Sequence, residues 1–275
     1  MGDAKRLIVK PISAKDANRI VKGLHYSGKV VNNSQVHLGV FLDGRCGGAM
    51  QFGPSLDKRK MLGLVEGTLW NEFIELNRMA FADWLPPMGE SRCIGYAMRW
   101  LRKTYPQLKW VVSFADGTQC GDGTIYRASG FVLTGLKENN QIWQSPTSET
   151  FSRTSLTDTT SKQQQQRAKN VISRTTTTTT KGAHILETGA SSMKQYKDAG
   201  WKPLKGFQLR YIYFLDPTAK ERLTVPIIPF SEIERRGAGM YRGKPRVRGV
   251  DSDTSANHAE EGGANPTRTL FSPEG

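Results

Sequence analysis

The stretch from Arg92 to Ala97 has the pattern R-x-x-G-x-A, whose residue types suit the binding of a phosphate group. Backbone N–H groups and the positive dipole end of a helix N-terminus attract anions, and small residues let a pyrophosphate come close. Ser91, directly before the pattern, is a residue type that caps helix starts. The sequence therefore predicts that Ser91, Arg92, Gly95 and Ala97 hold a pyrophosphate.

A second group of candidate residues follows on the C-terminal side. Asp116 ends a short apolar run, and Tyr126 lies in the stretch 121–131, which is predicted to hold a short helix. A carboxylate at the carboxyl end of a parallel strand lies where open α/β sheets bind ligands, so Asp116 is the candidate general base. The competing interpretation is that Asp116 only caps the turn that follows.

The elements that must position these residues are two strands and the helix between them. The stretches 72–81 and 109–114 are predicted strands, and 89–106 is a predicted amphipathic helix. Strands joined by a helical crossover are most simply parallel. The helix has an apolar stripe at spacings of three and four residues, formed by Ile94, Ala97, Met98 and Leu101.

The N-terminal part adds a strand, a helix and a hairpin. The stretch 7–12 is a predicted strand, and a helix is predicted from Ser13 to about Leu24. His25 and Tyr26 follow the helix, and an ordinary structural pair is the simplest interpretation of two such neighbours. The stretch 36–53 is a predicted hairpin because two apolar runs flank an Asp-Gly turn.

The order of these elements resembles the GNAT acyltransferase superfamily. The resemblance implies an α/β fold: a twisted mixed sheet with splayed parallel central strands and flanking helices. The segments HYSG, LGVFLDGRCGGAMQFG, ELNRMAF, VVSFAD and IYRASGF occur in one order. With them, the chain from about residue 5 to residue 248 is similar to the Mom family of phage DNA-modification proteins.

Membership of that family implies conversion of adenine in double-stranded DNA to N6-carbamoylmethyladenine, which protects phage DNA from host restriction. In this scheme Asp116 is the base and Tyr126 is the acid that protonates the leaving group. His25 and Tyr26 hold the flipped adenine by stacking and hydrogen bonding, and Arg78 neutralises developing negative charge. Because Asn77 and Arg78 are neighbours in a strand, at most one is expected to reach the site unless a bulge intervenes.

The group donor is open at this stage. The R-x-x-G-x-A pattern indicates an acyl-CoA such as acetyl-CoA, but an acetyl group lacks the carboxamide nitrogen. Glycyl-tRNA is the alternative, because a glycine unit contains that nitrogen. The sequence shows no cluster of metal ligands, and whether a metal takes part stays unknown.

Two other function classes remain in contention. One is an acyl-CoA-dependent N-acetyltransferase that acts on a protein or small amine, and it predicts acetyl transfer without DNA. The other is a non-enzymatic nucleic-acid-binding protein, for which loss of Asp116 and Tyr126 would leave the biological effect intact.

Composition favours a polyanionic partner. The formal net charge is +14 over 275 residues, with a pI near 9.8. Double-stranded DNA is the first expectation and tRNA is possible as well. The three cysteines form no C-x-x-C pair, and no apolar run is long enough for a membrane span. We expect a soluble cytoplasmic protein, in the host cell if phage-encoded, whose oligomeric state is open, a dimer being plausible.

Composition also divides the chain. Residues 1–144 and 183–230 are the predicted catalytic domain, and 145–182 is a low-complexity basic insertion. Residues 145–205 hold ten Lys or Arg and four Asp or Glu, a net charge of +6. The insertion is therefore predicted to be a flexible arm along a phosphate backbone or a solvated loop. Residues 231–250 are a basic segment, and 251–275 are a disordered acidic tail.

Overall fold

The computed structural model describes residues 3–118, 121–153, 156, 193–241 and 244–245. Most of the insertion 145–182 and all of the tail 251–275 lie outside the described residues. The expectations for these segments, and the domain boundaries, therefore stay predictions. No helix in the described ranges is long and apolar enough to cross a membrane.

A seven-stranded sheet forms the body of the protein, in the order β1-β2-β3-β4-β5-β10-β6. Neighbouring strands in this sheet are antiparallel, except for β4 and β5, which are parallel. The predicted mixed sheet with a central parallel pair is confirmed. The strands are β1 (Ile8–Pro11), β2 (Val36–Leu42), β3 (Arg45–Gly53), β4 (Phe73–Phe81), β5 (Trp110–Asp116), β6 (Val132–Asn139) and β10 (Gly206–Phe214).

The helices lie between the strands, and two of their starts can be traced to side chains. Ser13 caps α1, because its Oγ accepts a hydrogen bond from the Asp16 backbone N–H at 3.1 Å. Asp57 caps α2 in the same way, through the Lys60 N–H at 3.4 Å. The α-helices are α1 (Ala14–Leu24), α2 (Lys58–Leu62), α3 (Gly89–Thr104), α4 (Thr124–Ala128), α5 (Met193–Asp198) and α6 (Ser231–Arg235), with 3-10 helices at Asp3–Arg6 and Pro217–Arg222.

The β2–β3 hairpin is confirmed with its predicted bounds. Asp43 and Gly44 form the two-residue turn with φ angles of 51° and 81°. Both residues are in the left-handed region, as the tightest hairpin turn requires, and Asp and Gly adopt it at low cost.

Each face of the large sheet is covered by different helices. The predicted stripe of α3 is buried on one face, where it packs against Leu38, Met50 and Phe52. On the other face, the α1 residues Ala17, Ile20 and Val21 pack against Ala49 of β3 and Ala80 of β4. The large sheet is therefore the middle layer, and functional groups must lie at its edge or where its strands part.

A small three-stranded sheet was not foreseen from the sequence. It has the order β8-β7-β9 and joins residues from both sides of the Thr-rich segment. Its strands are β7 (Ile142–Gln144), β8 (Thr150–Ser152) and β9 (Lys202–Pro203). With α5 they enclose a separate apolar cluster of Trp143, Phe151, Leu156, Tyr196, Ala199 and Trp201. A pair, β11 (Met240–Tyr241) and β12 (Lys244–Pro245), follows near the C-terminus.

The parallel β4–β5 pair yields a stability prediction. Trp110 is fully buried, stacks on Phe73 with ring centroids 4.4 Å apart, and donates Nε1–H to Thr68 Oγ1 at 3.1 Å. Trp110→Ala should lower the free energy of unfolding by about 3–5 kcal/mol, because it leaves a large cavity and removes the hydrogen bond to the Thr68 hydroxyl.

Urea denaturation followed by circular dichroism measures the change. Trp70→Ala is the matched control, since Trp70 is exposed and should change stability by less than about 1 kcal/mol. Equal losses in the two variants would show that the β4–β5 contact does not anchor the sheet.

Candidate active site where β4 and β5 part

The central parallel strands pair over a short length only. Residues Phe73–Glu75 of β4 pair with Trp110–Val112 of β5, and the strands part beyond them. From there β4 continues along β3 as far as Phe81, whereas β5 continues along β10 as far as Asp116. A gap between the carboxyl ends of neighbouring parallel strands is a preferred ligand site in α/β sheets.

A β-bulge in β4 lies beside this gap. Gln51 of β3 is opposite Arg78 and Phe52 is opposite Leu76, so Asn77 is the extra residue. Asn77 Oδ1 accepts a hydrogen bond from Ser34 Oγ at 3.1 Å, and Arg78 Nε donates to the Lys29 carbonyl at 3.1 Å. The bulge thus lets both neighbours face the α1–β2 connection, which regular strand alternation would not allow.

Glu75 is a candidate site residue that was not predicted from the sequence. Its neighbours Ile74 and Leu76 are buried against α3, so Glu75 faces the opposite side of the sheet. Burial raises the pKa of Glu75, while the proximity of Ser55, Asn77 and Arg78 lowers it by less. The Ser55 hydroxyl approaches this carboxyl without reaching full hydrogen-bond geometry. The available signal was an acidic residue between two apolar residues, Ile74 and Leu76, of a predicted strand.

His25 and Tyr26 lie at the end of α1, near Arg78. The rings of His25 and Tyr26 stack with centroids 4.4 Å apart, and His25 Nδ1 is 2.8 Å from Ser27 Oγ. Burial, and then the charge of Arg78, lowers the pKa of His25 to about 4. His25 is therefore neutral at physiological pH, while Tyr26 presents an exposed ring.

Asp116 ends β5 on the same face of the sheet as Glu75. Its neighbour Ala115 is buried on the α3 face, so strand alternation directs Asp116 to the opposite face. Asp116 Oδ1 accepts the Thr118 backbone N–H at 2.9 Å. The turn cap considered from the sequence is therefore present, and it engages one carboxylate oxygen.

Tyr126 has a different environment. It is buried in the α3-side core, where its ring lies 5.4 Å from Phe131 and 5.2 Å from Tyr211. Tyr126 was predicted to act together with Asp116, but the two residues belong to opposite faces of the sheet. The acid role of Tyr126 stays a prediction.

The start of α3 requires a correction. The first helical hydrogen bond runs from Arg92 N–H to the Met88 carbonyl at 3.3 Å, so the helix begins at Gly89 and Ser91 is not its N-cap. Ser91 Oγ instead donates back to the Met88 carbonyl at 3.2 Å. The reason is that Met88 adopts a left-handed conformation, with φ of 62°, which ends the preceding loop.

This start bears on the predicted pyrophosphate site. Gly95 and Ala97 lie more than one turn inside the helix, where their N–H groups bond to helix carbonyls, and Ala97 is buried in the core. Glu90 occupies the first turn, and partial burial, then the charge of Asp83, raises its pKa. The N–H groups of Gly95 and Ala97 are therefore used within the helix, and the pyrophosphate role of Ser91, Arg92, Gly95 and Ala97 stays a prediction. Arg92 stays exposed and Gly95 half-exposed.

Within the described residues, His, Cys, Asp and Glu side chains form no group of three or more that could hold a metal ion. The polar groups at the gap are instead two carboxylates, an amide, a guanidinium and a neutral imidazole. Such a set can accept a proton, stabilise an anion and hydrogen-bond a planar base.

A mixed sheet whose central parallel strands part around polar side chains, with a helix crossover between them, defines a GNAT-like protein. The chain belongs to the Mom protein family, whose model matches residues 6–232. It is 41% identical over 137 residues to the methylcarbamoylase mom of Escherichia phage Mu; the match covers 50% of this chain and 56% of that protein. The chain thus spans little more than half the length of this curated relative.

Solved acetyltransferase structures are also similar. The ribosomal-protein-S18-alanine N-acetyltransferase of Escherichia coli has a TM-score of 0.40 and 8% identity, covering 76% of this chain and 94% of that chain. A GNAT-family acetyltransferase from Streptococcus pneumoniae has a TM-score of 0.35 and 16% identity, covering 48% of this chain and 88% of that chain.

The neutral state of His25 can be tested by NMR titration. We expect one of the four histidines to titrate near pH 4 and to be absent from the spectrum of His25→Asn. In an unfolded chain His25 titrates near its ordinary value of 6.5. The unfolded state therefore binds the proton first, and the stability that His25 contributes is lost as pH falls from about 6.5 towards 4.

The His25→Asn variant should accordingly show a flatter dependence of unfolding free energy on pH in that window. A His25 resonance that titrates near pH 6.5 would contradict the buried, Arg78-facing environment.

Proposed function

We propose that this chain is a transferase that modifies adenine N6 in double-stranded DNA and attaches a carbamoylmethyl group. The observation that carries the proposal is its 41% identity to a phage Mu protein named methylcarbamoylase mom, together with membership of the Mom family. In the proposal the modification takes place in the host cytoplasm and protects phage DNA from restriction. The net charge of +14 supports a DNA partner.

The chemistry sets three requirements. The lone pair of adenine N6 is delocalised into the ring, so attack on an electrophile needs a base that takes the N6 proton. Negative charge that develops in the transition state must be stabilised. The adenine must also leave the base stack, because N6 is otherwise engaged in base pairing.

The polar residues around the gap can meet these requirements. Asp116 is our choice for the base, since it lies at the carboxyl end of β5 on the face that Glu75 shares. Arg78 is placed to stabilise negative charge beside the bulge. His25 and Tyr26 would hold the extruded adenine, because a neutral imidazole and an exposed phenol can stack and hydrogen-bond.

Glu75 has a supporting role in this scheme. Its carboxyl lies between Ser55, Asn77 and Arg78, so it orients the amide and the guanidinium that border the gap. A carboxyl buried next to a guanidinium restricts the rotamers of both side chains, which favours a preorganised site.

The donor, when bound, supplies the electrophilic carbon, and this chain's residues must orient it towards N6. Acyl-CoA stays a prediction, although the α3 start gives it no N–H cradle at Gly95 and Ala97. A glycine-derived donor such as glycyl-tRNA carries both carbons and the nitrogen of the carbamoylmethyl group. Attack of N6 on its ester carbonyl would release the tRNA and form an N6-glycyl adduct, which must then isomerise to the carbamoylmethyl group. The basic surface would suit tRNA as well as DNA.

Nucleoside mass spectrometry of DNA from cells that express the chain tests the function. We expect an N6-modified deoxyadenosine that is absent from cells without the chain. Growth with glycine labelled in both carbons and the nitrogen, compared with growth on labelled acetate, identifies the donor class.

Glycine also enters the purine ring, so unmodified deoxyadenosine becomes heavier as well. The number of labelled atoms in the added group is the mass shift of the modified nucleoside minus the mass shift of unmodified deoxyadenosine from the same digest. Three extra heavy atoms indicate a glycine-derived donor, and two from acetate indicate an acetyl donor. Unmodified DNA together with acetylation of a protein or small amine would instead favour the N-acetyltransferase alternative.

Replacement of Asp116 separates catalysis from turn capping. Asp116→Asn keeps the shape of the side chain but cannot take a proton at neutral pH. Modification should fall by about 10²-fold or more, while DNA affinity and melting temperature stay near wild type.

Asp216→Asn is the matched control, because Asp216 Oδ1 accepts the Thr218 N–H at 3.0 Å in the same capping arrangement. A purely capping Asp116 would resemble this control, with at most about 1 kcal/mol of lost stability and full activity. Near-normal modification by Asp116→Asn would move the base elsewhere, with His25 the next candidate.

A further inference from the structure

The loop between β3 and α2 carries a leucine that contacts none of the core. Leu56 is fully exposed, although Ser55 directly before it is buried. A single exposed leucine is ordinary on a protein surface. The position of Leu56 beside the candidate site distinguishes it.

The loop is tied to the site on the N-terminal side of Leu56. The Pro54 carbonyl accepts hydrogen bonds from Asn77 Nδ2 at 3.4 Å and from Asn33 Nδ2 at 3.5 Å. Ser55 is the residue that approaches the Glu75 carboxyl. Leu56 is thus one residue from a side chain of the site and two from the carbonyl bonded to the bulge.

The C-terminal side of Leu56 is also fixed. Asp57 caps α2 through the Lys60 N–H and forms an ion pair with Lys60 Nζ at 2.7 Å. Because the residues on both sides of Leu56 have defined partners, the loop can hold an apolar side chain in water without collapsing onto the core.

Three positively charged residues follow Leu56 and Asp57 in the chain. Lys58, Arg59 and Lys60 form the first turn of α2, and Arg59 and Lys60 are exposed. Lys58 lies over the Trp70 ring, 4.4 Å from its centroid, which keeps its charge at the base of the loop. An apolar tip followed by three cations is complementary to a nucleic acid, whose bases stack between two rows of phosphates.

We propose that Leu56 is a wedge that enters the base stack of duplex DNA and occupies the space left when the target adenine is extruded. The exposed cations of α2 contact the phosphates that flank this position. This inference rests on the proposed function, and it names the structural device that would deliver a paired adenine to the gap between β4 and β5.

The physical argument is the stacking that extrusion removes. A flipped base leaves a hole between its neighbours, and an apolar side chain that fills it lowers the free energy of the open state. Leucine is one of the residue types that proteins insert between base steps. The exposed ring of Tyr26, on the α1–β2 connection, lies near Arg78, and in this proposal it receives the extruded adenine.

The test compares paired with unpaired DNA. Purified full-length wild type, Leu56→Ala, Leu56→Met and Leu69→Ala are each added to a lysate of the expression host, which contains the donor. The substrates are a native plasmid and the same plasmid denatured by heat, and N6-modified deoxyadenosine is measured by mass spectrometry. Leu69 is the matched control, since it is also a largely exposed leucine.

We expect Leu56→Ala to lose about tenfold or more of its activity on the duplex and less than about twofold on single strands, which need no wedge. Leu56→Met keeps the apolar reach and should retain most duplex activity, and Leu69→Ala should match wild type on both substrates. Duplex affinity should fall little in Leu56→Ala because phosphate contacts supply most of it.

Full duplex activity of Leu56→Ala would overturn the wedge. An equal loss of activity on duplex and single-stranded DNA would also overturn the wedge. If that equal loss came with a change of oligomeric state, Leu56 would instead belong to a protein–protein contact. Failure of the proposed function has a different signature: wild type would leave both substrates unmodified, in cells and in lysate.

Discussion

The candidate site depends on the limited pairing between β4 and β5. Each of these strands is also hydrogen-bonded along its outer edge, β4 to β3 and β5 to β10, and these outer ladders are longer than the ladder between β4 and β5. After three paired residues on each strand, the twist of the sheet and these outer ladders carry the strands apart. The gap therefore results from backbone hydrogen bonding, and this strand pairing sets the positions of the side chains around the gap.

Charge at the gap is controlled by burial. Glu75 and Arg78 lie where water is restricted, and the loss of solvation raises the pKa of the carboxyl and lowers that of the guanidinium. The same conditions keep His25 neutral. Burying a set of charged and polar side chains lowers the stability of the folded state, and such sets are commonly found at functional sites. The bulge at Asn77 adds to the arrangement, because it directs two adjacent polar side chains to one side of β4.

The small sheet gives the protein a second apolar centre. Residues before and after the Thr-rich segment are far apart in sequence, yet Trp143, Phe151 and Trp201 pack together. Bringing together residues so far apart in sequence loses conformational entropy, and burial of three large aromatic residues offsets that loss. The chain segments on either side of the Thr-rich segment are thereby held together.

The sequence by itself determined the order of elements, the hairpin turn, the apolar stripe of α3 and the parallel central strands, because local periodicity and turn residues specify these. It also placed His25, Arg78 and Asp116 among the site candidates through resemblance to a family. Only the tertiary structure decided the rest. Glu75 became a site residue because Ile74 and Leu76 face α3, and Asn77 joined Arg78 because a register shift against β3 added one residue. Tyr126 was buried because neighbouring elements surround it. Strand register and burial depend on partners distant in sequence, which no local pattern encodes.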